Sequence, residues 1–474
     1  MPDRAARAAA LSAGRDVAGS ASAPSGAAAA RPAPPREDAG ARRRRLIAWD
    51  LGVLVGANVV AVIGLWWRQG GVSEVHDLAG LLTSLGRVTG MVGALLALVQ
   101  LLLLARIPVL DEIALDRVNG WHRWNGIACI ALLVAHTVLI TAGYALADGA
   151  GLGHEIAELL GDYSGVLIAT IGLVLLIAVA WTSGTAVRRR LGRRAWHAIH
   201  VSAYLAVALG FSHQLATGHE FQRQPVARAY WWALYGATAV AIVLARVVLP
   251  AVRSLGVHRL RVERVVADEP GVVSVVIGGR ALDRLGARSG QYLHWRFLAA
   301  GHWTRARPLS LSAAPDGRRL RVTMRERPGG GPSLATLAPG TRVVVEGPAG
   351  GLTSAARRRP RVALIAGGPG IAPVRALLED MPARAGDIAV LCVGGRDGVP
   401  LREDLEDLAR RRGADVHWIG RGEALDAERL RALVPDIAAR DVFVAGPTAM
   451  VRAARASLRA AGVAARQISS EGFG

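Results

Sequence analysis

The sequence contains no lysine, few cysteines and few aromatic residues. All 57 basic residues are arginine, and Cys129 and Cys392 are the two cysteines among 474 residues. Two thiols are too few for a disulfide framework, or for a zinc or iron–sulfur site with four thiolate ligands. Aromatic residues make up 5% of the chain and carry no nucleic-acid-binding motif. We therefore expect no nucleic-acid partner, despite a net charge of +20.

Apolar and charged residues are segregated along the chain. Mean hydropathy is +0.31 although 20% of the residues are charged, a combination that a uniform soluble globule does not have. At about 150 residues per domain, the length corresponds to roughly three folded units. The composition therefore predicts membrane spans joined to a soluble part.

The chain opens with a low-complexity tail and continues with six apolar segments. Residues 1–45 have almost no bulky apolar side chain to offset the entropy of ordering, so we predict a disordered tail. Four arginines, Arg42 to Arg45, precede the first apolar run, as they do before a helix whose N-terminus stays in the cytoplasm. Each apolar segment is near the roughly 20 residues that cross a bilayer. Together they predict a six-helix bundle over residues 46–253, with spans near 46–67, 81–104, 126–146, 165–181, 195–215 and 229–252.

The loop charges predict the orientation in the membrane. Arginines occur in the second-to-third loop and in the fourth-to-fifth loop, whereas residues 147–164 contain acidic residues and no arginine. Positive loops stay in the cytoplasm. Arg223 and Arg228 in the fifth-to-sixth loop fit this pattern less well. We expect a multi-pass protein of the cell membrane with both termini in the cytoplasm.

Two regions with different sequence patterns follow the last span. Residues 258–352 contain short β-branched runs separated by glycine and proline, which indicate an antiparallel β-barrel. From residue 361 to 474, apolar strands alternate with helical stretches, the pattern of a parallel α/β nucleotide-binding sheet.

Four histidines lie within or at the edge of two of the predicted spans. His136 lies in the third span and His122 at its edge, whereas His200 and His213 lie in the fifth. These spans run in the same direction, and a rise of 1.5 Å per residue separates the two histidines of each by ~20 Å, so two matched pairs form at different depths. A haem iron with two axial histidine ligands needs them at one depth, whereas a zinc site would need three or four ligands at one depth. Thirteen residues leave His200 and His213 roughly 140° apart on a helix. Either the fifth helix is irregular, or the two haems approach it from different sides.

These strings resemble a known family. Trp-His-Arg-Trp-Asn-Gly at 121–126 and Trp-His-Ala-Ile-His at 196–200, with His136 and His213, resemble the ferric reductase-like transmembrane domain of NADPH oxidases and ferric-chelate reductases. The resemblance implies two stacked b-type haems, an inner one on His122 and His200 and an outer one on His136 and His213. Arg87 would then lie near the outer face, where it meets a haem propionate or extends to the interface.

A second resemblance concerns flavin binding. Arg-Pro-Leu-Ser-Leu-Ser at 307–312, followed by Gly-Gly-Gly-Pro-Ser at 329–333, resembles the FAD-binding strand and glycine-rich segment of ferredoxin-NADP reductase-like proteins. Leu309 stands where the family has an aromatic residue against the flavin ring, which predicts weaker FAD binding unless Trp303 supplies that face. The FAD contacts implied are Arg307, Pro308, Leu309, Ser310, Ser312, Gly330, Gly331 and Ser333.

The last part resembles the nicotinamide-binding half of the same proteins. A buried strand, a glycine-rich turn and a helix follow one another at 362–373, and glycines let backbone N–H groups reach a pyrophosphate. Ala445 replaces the family's cysteine near the nicotinamide, which predicts slower hydride transfer. Phe473 is the C-terminal aromatic that covers the flavin, and Arg396, at a strand end, favours NADPH over NADH. The remaining cofactor contacts implied are Gly367, Gly368, Gly370, Ile371, Pro373, Gly446, Pro447 and Met450.

These features together predict an NAD(P)H-dependent flavohaem oxidoreductase. Electrons from cytoplasmic NADPH or NADH would pass through FAD and two b-type haems to an acceptor outside. The expected acceptor is a ferric chelate. The alternatives are dioxygen, which would make the chain a superoxide-generating oxidase, and a partner protein or quinone.

Overall fold

The computed structural model describes residues 39–105, 107, 110, 115–217, 224–326, 331–394, 399–420 and 422–473. Six helices in it are long and apolar enough to cross a membrane, which confirms the six predicted segments. The long helices and one short helix, α4, are α1 (Ala39–Arg68), α2 (Leu78–Leu103), α3 (Leu115–Ala147), α4 (Leu152–Gly161), α5 (Val166–Ser183), α6 (Thr185–Thr217) and α7 (Pro225–Val243).

Two of these helices differ from the prediction. Helix α1 begins at Ala39, so the last residues of the predicted disordered tail are helical, and residues 1–38 lie outside the described part. Arginine has a high helix propensity, so the run Arg42 to Arg45 extends the helix. Helix α4 lies in the loop that faces away from the arginine-rich loops, and its amphipathic pattern was not recognised in the sequence.

Small residues bring the membrane helices together in two pairs. Gly86, Gly90 and Gly93 of α2 face α3 so closely that an added Cβ at each would lie 2.6–2.9 Å from a side chain of that helix. Gly172 of α5 lies against α6 in the same way, since its Cβ would be 2.8 Å from the Ala206 carbonyl oxygen. Small residues permit this approach where lipid provides no hydrophobic drive.

The last span continues beyond the predicted end. Two π-helical stretches, Leu244–Val248 and Val252–Val257, flank the short turn Leu249–Ala251. Pro250 has no N–H group for the usual helical bond, and a π-helical stretch accommodates this loss. Near its end Ser254 is fully buried, and its Oγ accepts a hydrogen bond of 2.9 Å from the Val345 N–H. The last helix therefore leads directly into the soluble part.

The first soluble domain is antiparallel, as predicted. Its six strands form two three-stranded sheets, with orders β1-β2-β5 and β4-β3-β6. Isolated bridges join the sheets at Arg261 with Arg342 and at Leu311 with Val322, so the described residues form no continuous barrel ladder. Trp295 and Phe297 fill the space between the sheets. The strands are β1 (Arg261–Glu269), β2 (Val272–Gly278), β3 (Tyr292–Phe297), β4 (Arg307–Ser310), β5 (Arg319–Arg325) and β6 (Val343–Ala349).

The second soluble domain is a five-stranded parallel sheet, which confirms the predicted α/β pattern. Its strand order is β11-β10-β7-β8-β9, with helices on both faces. The prediction missed β9, β11 and the short helix α10. The elements are β7 (Val362–Gly367), α8 (Ile371–Asp380), β8 (Ile388–Val393), α9 (Arg402–Arg412), β9 (Asp415–Ile419), α10 (Ala427–Leu433), β10 (Asp441–Pro447), α11 (Thr448–Ala460) and β11 (Ile468–Phe473).

Candidate functional site

The four membrane histidines form two facing pairs. The ring centroids of His122 and His200 are 6.1 Å apart, and those of His136 and His213 are 6.5 Å apart. Two imidazoles that bind one iron from opposite sides, each at about 2.0 Å, have ring centres roughly 6 Å apart. Among the described residues no group of three or more histidine, cysteine or acidic side chains is arranged to hold a metal ion. The pairs therefore fit axial ligation of a haem and do not fit a zinc site.

The backbone of α6 shows why His200 and His213 can lie roughly 140° apart around the helix and still both face α3. Gly192 is its single non-helical residue, so the helix is regular from His200 to His213. The two side chains therefore leave α6 on different sides, and each still meets a histidine of α3.

A cavity of about 370 Å³ surrounds the outer pair, between the α2–α3 and α5–α6 pairs of helices. His136 and His213 line it, together with Gly90 and Gly172. His136 Nδ1 is 2.8 Å from the Gly86 carbonyl oxygen, which can only accept, so this nitrogen carries the proton. Nε2 is then left with its lone pair, the arrangement that orients a metal-binding histidine. An added Cβ at Gly90 would lie 2.6 Å from the His136 ring, so glycine makes room for this side chain.

The inner pair has a different polar environment. Gln100 Nε2 lies 3.1 Å from His122 Nε2, and the Asn125 amide donates to Gln100 Oε1 at 2.8 Å. His122 Nδ1 is buried and has no hydrogen-bond partner among the described residues. On the other side, the Trp196 ring stacks on His200 with centroids 4.9 Å apart. One imidazole nitrogen of the inner pair, Nδ1 of His122, is thus without a hydrogen-bond partner among the described residues.

Arg87 lies on the wall of the outer cavity. Its Nη1 is 2.5 Å from Glu74 Oε2, and Glu74 is half exposed at the end of the bundle. The arginine is therefore fixed by an ion pair at the cavity wall, and both interpretations of Arg87 from the sequence fit this position.

Three of the predicted flavin-binding residues come together at the start of β4. Arg307 Nη2 donates to the Pro332 carbonyl at 2.5 Å, next to Gly331, whose φ of 104° favours glycine. Ser333 Oγ donates to Glu326 Oε2 at 2.6 Å, and Leu334 N–H donates to Glu326 Oε1 at 2.6 Å. A carboxylate thus occupies adjacent donors of the kind that hold a phosphate. Gly330 lies outside the described residues.

The charge and burial of the group formed by Arg307, Gly331 and Ser333 suit an anionic ligand. Burial lowers the pKa of Arg307, and the nearby Glu326 opposes this change. Leu309 is half buried and packs against the domain core, while its carbonyl accepts from Trp295 Nε1 at 3.0 Å. Trp303 is 59% exposed. Of the other predicted contacts, Pro308 is exposed, Ser310 is half buried, and Ser312 is buried directly after the strand.

The structure brings together the predicted nicotinamide-binding residues. Strand β7 ends at Gly367, a turn covers Gly368–Gly370, and α8 begins at Ile371, with Pro373 in its first turn. An added Cβ at Gly370 would lie 2.0 Å from the Ala445 carbonyl oxygen. Added Cβ atoms at Gly367 and Gly446 would meet the Met450 side chain at 2.2 and 2.8 Å. Glycine is therefore required where this turn meets the end of β10.

The last strand brings two more residues to this edge of the sheet. In the β10–β11 register Phe473 lies beside Pro447, and Glu471 lies beside Ala445. Glu471 Oε2 is buried without a hydrogen-bond partner among the described residues, and burial raises the pKa of Glu471 to about 7. The sequence analysis assigned a role to Phe473 but missed Glu471. An acidic residue two positions before the terminal aromatic, on the same face of a strand, was the available signal.

The structure describes only part of the region that would distinguish NADPH from NADH. Arg396 lies outside the described residues. Arg402, six positions further on, donates from Nε to Glu406 Oε1 at 3.1 Å and lies over the Trp418 ring at 5.8 Å.

Comparison with known families matches two separate parts of the chain. Residues 89–211 match the family described as ferric reductase like transmembrane component, and residues 360–473 match the one described as siderophore-interacting protein. The ferredoxin reductase component of 3-ketosteroid-9-alpha-monooxygenase from Mycolicibacterium smegmatis is 32% identical over 46% of this chain and 67% of its own length. The chain thus joins a ferric reductase-like transmembrane domain to an FAD/NAD-binding module of the ferredoxin reductase family.

Other relatives match a similar share of the chain. The flavohemoprotein of Pseudomonas aeruginosa is 29% identical over 237 residues, which are 46% of this chain and 59% of that protein. The chain thus spans roughly half to three fifths of the curated flavohemoproteins that it matches. Among solved structures, the flavohem-like FAD/NAD-binding domain of a nitric oxide dioxygenase from Vibrio cholerae is 25% identical over 46% of this chain and 99% of that chain, with a TM-score of 0.39.

Proposed function

We propose that this protein is a transmembrane oxidoreductase of the cell membrane, with both termini in the cytoplasm. It takes electrons from cytoplasmic NADPH or NADH and delivers them to an acceptor on the opposite face. Its cofactors are FAD, held by residues 258–352, and two b-type haems, while residues 361–474 bind the nicotinamide. One observation carries the proposal: two facing histidine pairs in the membrane belong to the same chain as a flavin and nicotinamide module.

The membrane residues would ligate and orient the haems. His122 and His200 would hold the inner iron, and His136 and His213 the outer one. The Gly86 carbonyl fixes the proton of His136 on Nδ1, so that Nε2 faces a ligand as a neutral donor. The cavity around the outer pair is lined mostly by apolar side chains of these helices. When bound, FAD accepts electrons in pairs as hydride and releases them singly, and haem iron carries single electrons.

The soluble residues would bind and orient the other two cofactors. Arg307 supplies a charge to the flavin pyrophosphate, and the Ser333 hydroxyl and the Leu334 N–H supply two donors once Glu326 releases them. The turn Gly368–Gly370 presents backbone N–H groups and the start of α8 to the nicotinamide dinucleotide. Ala445 and Phe473 lie on the neighbouring strands β10 and β11 and would border the place where the nicotinamide meets the flavin.

The acceptor that we propose is a ferric chelate. The family matched by residues 360–473 is described as siderophore-interacting protein, which supports iron over dioxygen. Dioxygen is the second candidate because the sequence strings at 121–126 and 196–200 also resemble the transmembrane domain of NADPH oxidases. A partner protein or quinone is the third acceptor, and it predicts that the purified chain alone reduces neither iron nor dioxygen.

Haem stoichiometry and reduction test the proposal. Protein purified in detergent should contain two b-type haems per chain and, without oxygen, NADPH should reduce both of them. Replacing His213 by alanine should halve the haem content and leave flavin reduction by NADPH intact. The control is His197→Ala, an exposed histidine of the same helix, which should keep both haems. A wild type without a b-type spectrum would overturn the proposal.

A further inference from the structure

One carboxylate connects the two soluble domains. Asp404, on α9, accepts from Arg375 Nε at 2.9 Å and from Arg375 Nη2 at 3.2 Å. Arg375 belongs to α8 of the same domain. The Asp404 Oδ2 atom also accepts from Arg321 Nη1 at 2.7 Å, and Arg321 belongs to β5 of the flavin domain. Asp404 therefore holds one arginine from each domain.

Arg375 makes a second contact across the same boundary. Its Nη1 donates to the Ser312 carbonyl at 3.0 Å and to Glu379 Oε2 at 2.6 Å. Glu379 Oε2 also accepts from the Ala314 N–H at 2.8 Å. Ser312 in turn accepts a hydrogen bond of 2.8 Å from Thr323 Oγ1. The segment that follows the flavin strand β4 is thus fixed to α8 by two side chains.

Burial makes this network sensitive to the loss of a single charge. Arg375 is 5% exposed, and a buried charge is costly unless it is paired and hydrogen-bonded. Burial alone would raise the pKa of Asp404, but the hydrogen bonds and charges of Arg375 and Arg321 outweigh it and hold the pKa below its ordinary value. Asp404 is therefore ionised at neutral pH, and its charge keeps both arginines in place.

The network lies between the two segments that bind cofactors in the proposed function. Helix α8 starts at the end of the glycine-rich turn that we assign to the nicotinamide dinucleotide, and Arg375 lies in its second turn. Ser312 follows the strand that we assign to FAD. A displacement of α8 relative to β4 would therefore change the distance between the two bound rings.

We propose that Asp404 is a positioning residue for hydride transfer, because it fixes the glycine-rich turn relative to the flavin strand through Arg375 and Arg321. The role rests on the proposed function. In that reaction a C–H bond of NAD(P)H would break, its hydrogen would pass to FAD together with the electron pair as hydride, and NAD(P)H would become NAD(P)⁺. Reacting atoms must come within about 3–3.5 Å, and a misplacement of about 1 Å can cost 100-fold in rate.

The experiment compares the full-length wild type with Asp404→Asn and a matched control, Asp407→Asn. Asp407 is an exposed carboxylate of the same helix that pairs with Arg410 on the surface. Stopped-flow reduction by NADPH separates the limiting rate of flavin reduction from the NADPH dissociation constant. A second readout needs no turnover: nitroxide labels on Arg264→Cys in β1 and Arg459→Cys in α11 report the distance between the domains. Both positions are exposed, whereas Cys129 and Cys392 are buried.

We expect Asp404→Asn to widen the distribution of distances between the labels and to lower the limiting rate roughly 10- to 100-fold. The NADPH dissociation constant and the FAD content should stay near those of the wild type, and Asp407→Asn should change nothing. Asp404→Glu keeps the charge and should recover part of the rate. If Asp404→Asn loses FAD, Arg321→Gln replaces it, because this change removes one contact across the boundary and leaves Arg375 paired.

Two results would overturn the inference. An unchanged distance distribution with an unchanged rate would show that the network does not position the domains. A loss of activity that follows the loss of FAD, with a normal rate in the fraction that retains FAD, would show that Asp404 acts on stability alone. A wild-type flavin that neither NADPH nor NADH reduces would remove the proposed function, and this role with it.

Discussion

Replacing Glu471 by glutamine should stabilise the soluble part of the chain at alkaline pH and leave its stability unchanged in acid. Burial raises the pKa of Glu471 from an ordinary 4.5 to about 7 in the folded protein. Between these two values folding takes up a proton, so stability falls as the pH rises from 4.5 towards 7. A pKa difference of about 2.5 corresponds to about 3.4 kcal/mol at 1.36 kcal/mol per unit. The whole cost is present above pH 7 and absent below pH 4.5.

The assay is thermal unfolding of the full chain in detergent, followed by the flavin fluorescence that appears when FAD is released. A soluble part of this size gains roughly 2–4 °C in Tm per kcal/mol, so Glu471→Gln should raise the Tm by about 7–14 °C near pH 8.5. Near pH 4.5 the two proteins should melt together. Glu403→Gln, at an exposed position of α9, controls for a general effect of removing a carboxylate. An equal difference between Glu471→Gln and wild type at both pH values would refute the reasoning.

Two further substitutions test the cofactor assignments. Leu309→Tyr should tighten FAD binding by ~0.5–1.5 kcal/mol, the contribution of an aromatic contact, when the dissociation constant is measured by fluorescence titration; unchanged or weaker binding would mean that another side chain already covers the ring. Arg396→Ala should lower the selectivity for NADPH over NADH roughly 10- to 150-fold in steady-state kinetics, because a charge-assisted contact of ~1.5–3 kcal/mol is lost. Because Arg402 already contacts Glu406 and Trp418, the double variant with Arg402→Ala shows whether it substitutes, and equal losses for both nucleotides would contradict the assignment.

Hydropathy and glycine patterns predicted the architecture because each depends only on residues that are close together in the sequence. Each span is apolar over its own length, and the strand-turn-helix order around Gly368 follows from neighbouring residues alone. The sequence predicted that the last span ends near Val252, but the helix continues through π-helical turns, which no sequence pattern signalled. The continuous barrel was predicted from strand spacing, which does not determine whether the two sheets share a ladder.

The sequence predicted those site residues whose type is uncommon in their surroundings. It did not predict those whose role depends on contacts with residues far away in the chain. Ionisable residues inside a membrane span are uncommon, so four histidines were found at once and their depths gave the pairs. Glu471 was missed because its burial depends on the flavin domain, where Gly350 approaches it. Asp404 was missed because Arg321, 83 positions away, is one of many arginines in the chain.

Transfer across a bilayer tests the central claim most directly. The protein is reconstituted into vesicles that enclose a ferric chelate and a colour reagent for Fe(II), and NADPH is added outside. The account predicts that enclosed iron is reduced by the wild type. With His213→Ala it should stay ferric, although external NADPH still reduces the flavin of the variant. Enclosed iron that stays ferric with the wild type, while external ferric chelate is reduced equally by both proteins, would contradict the account.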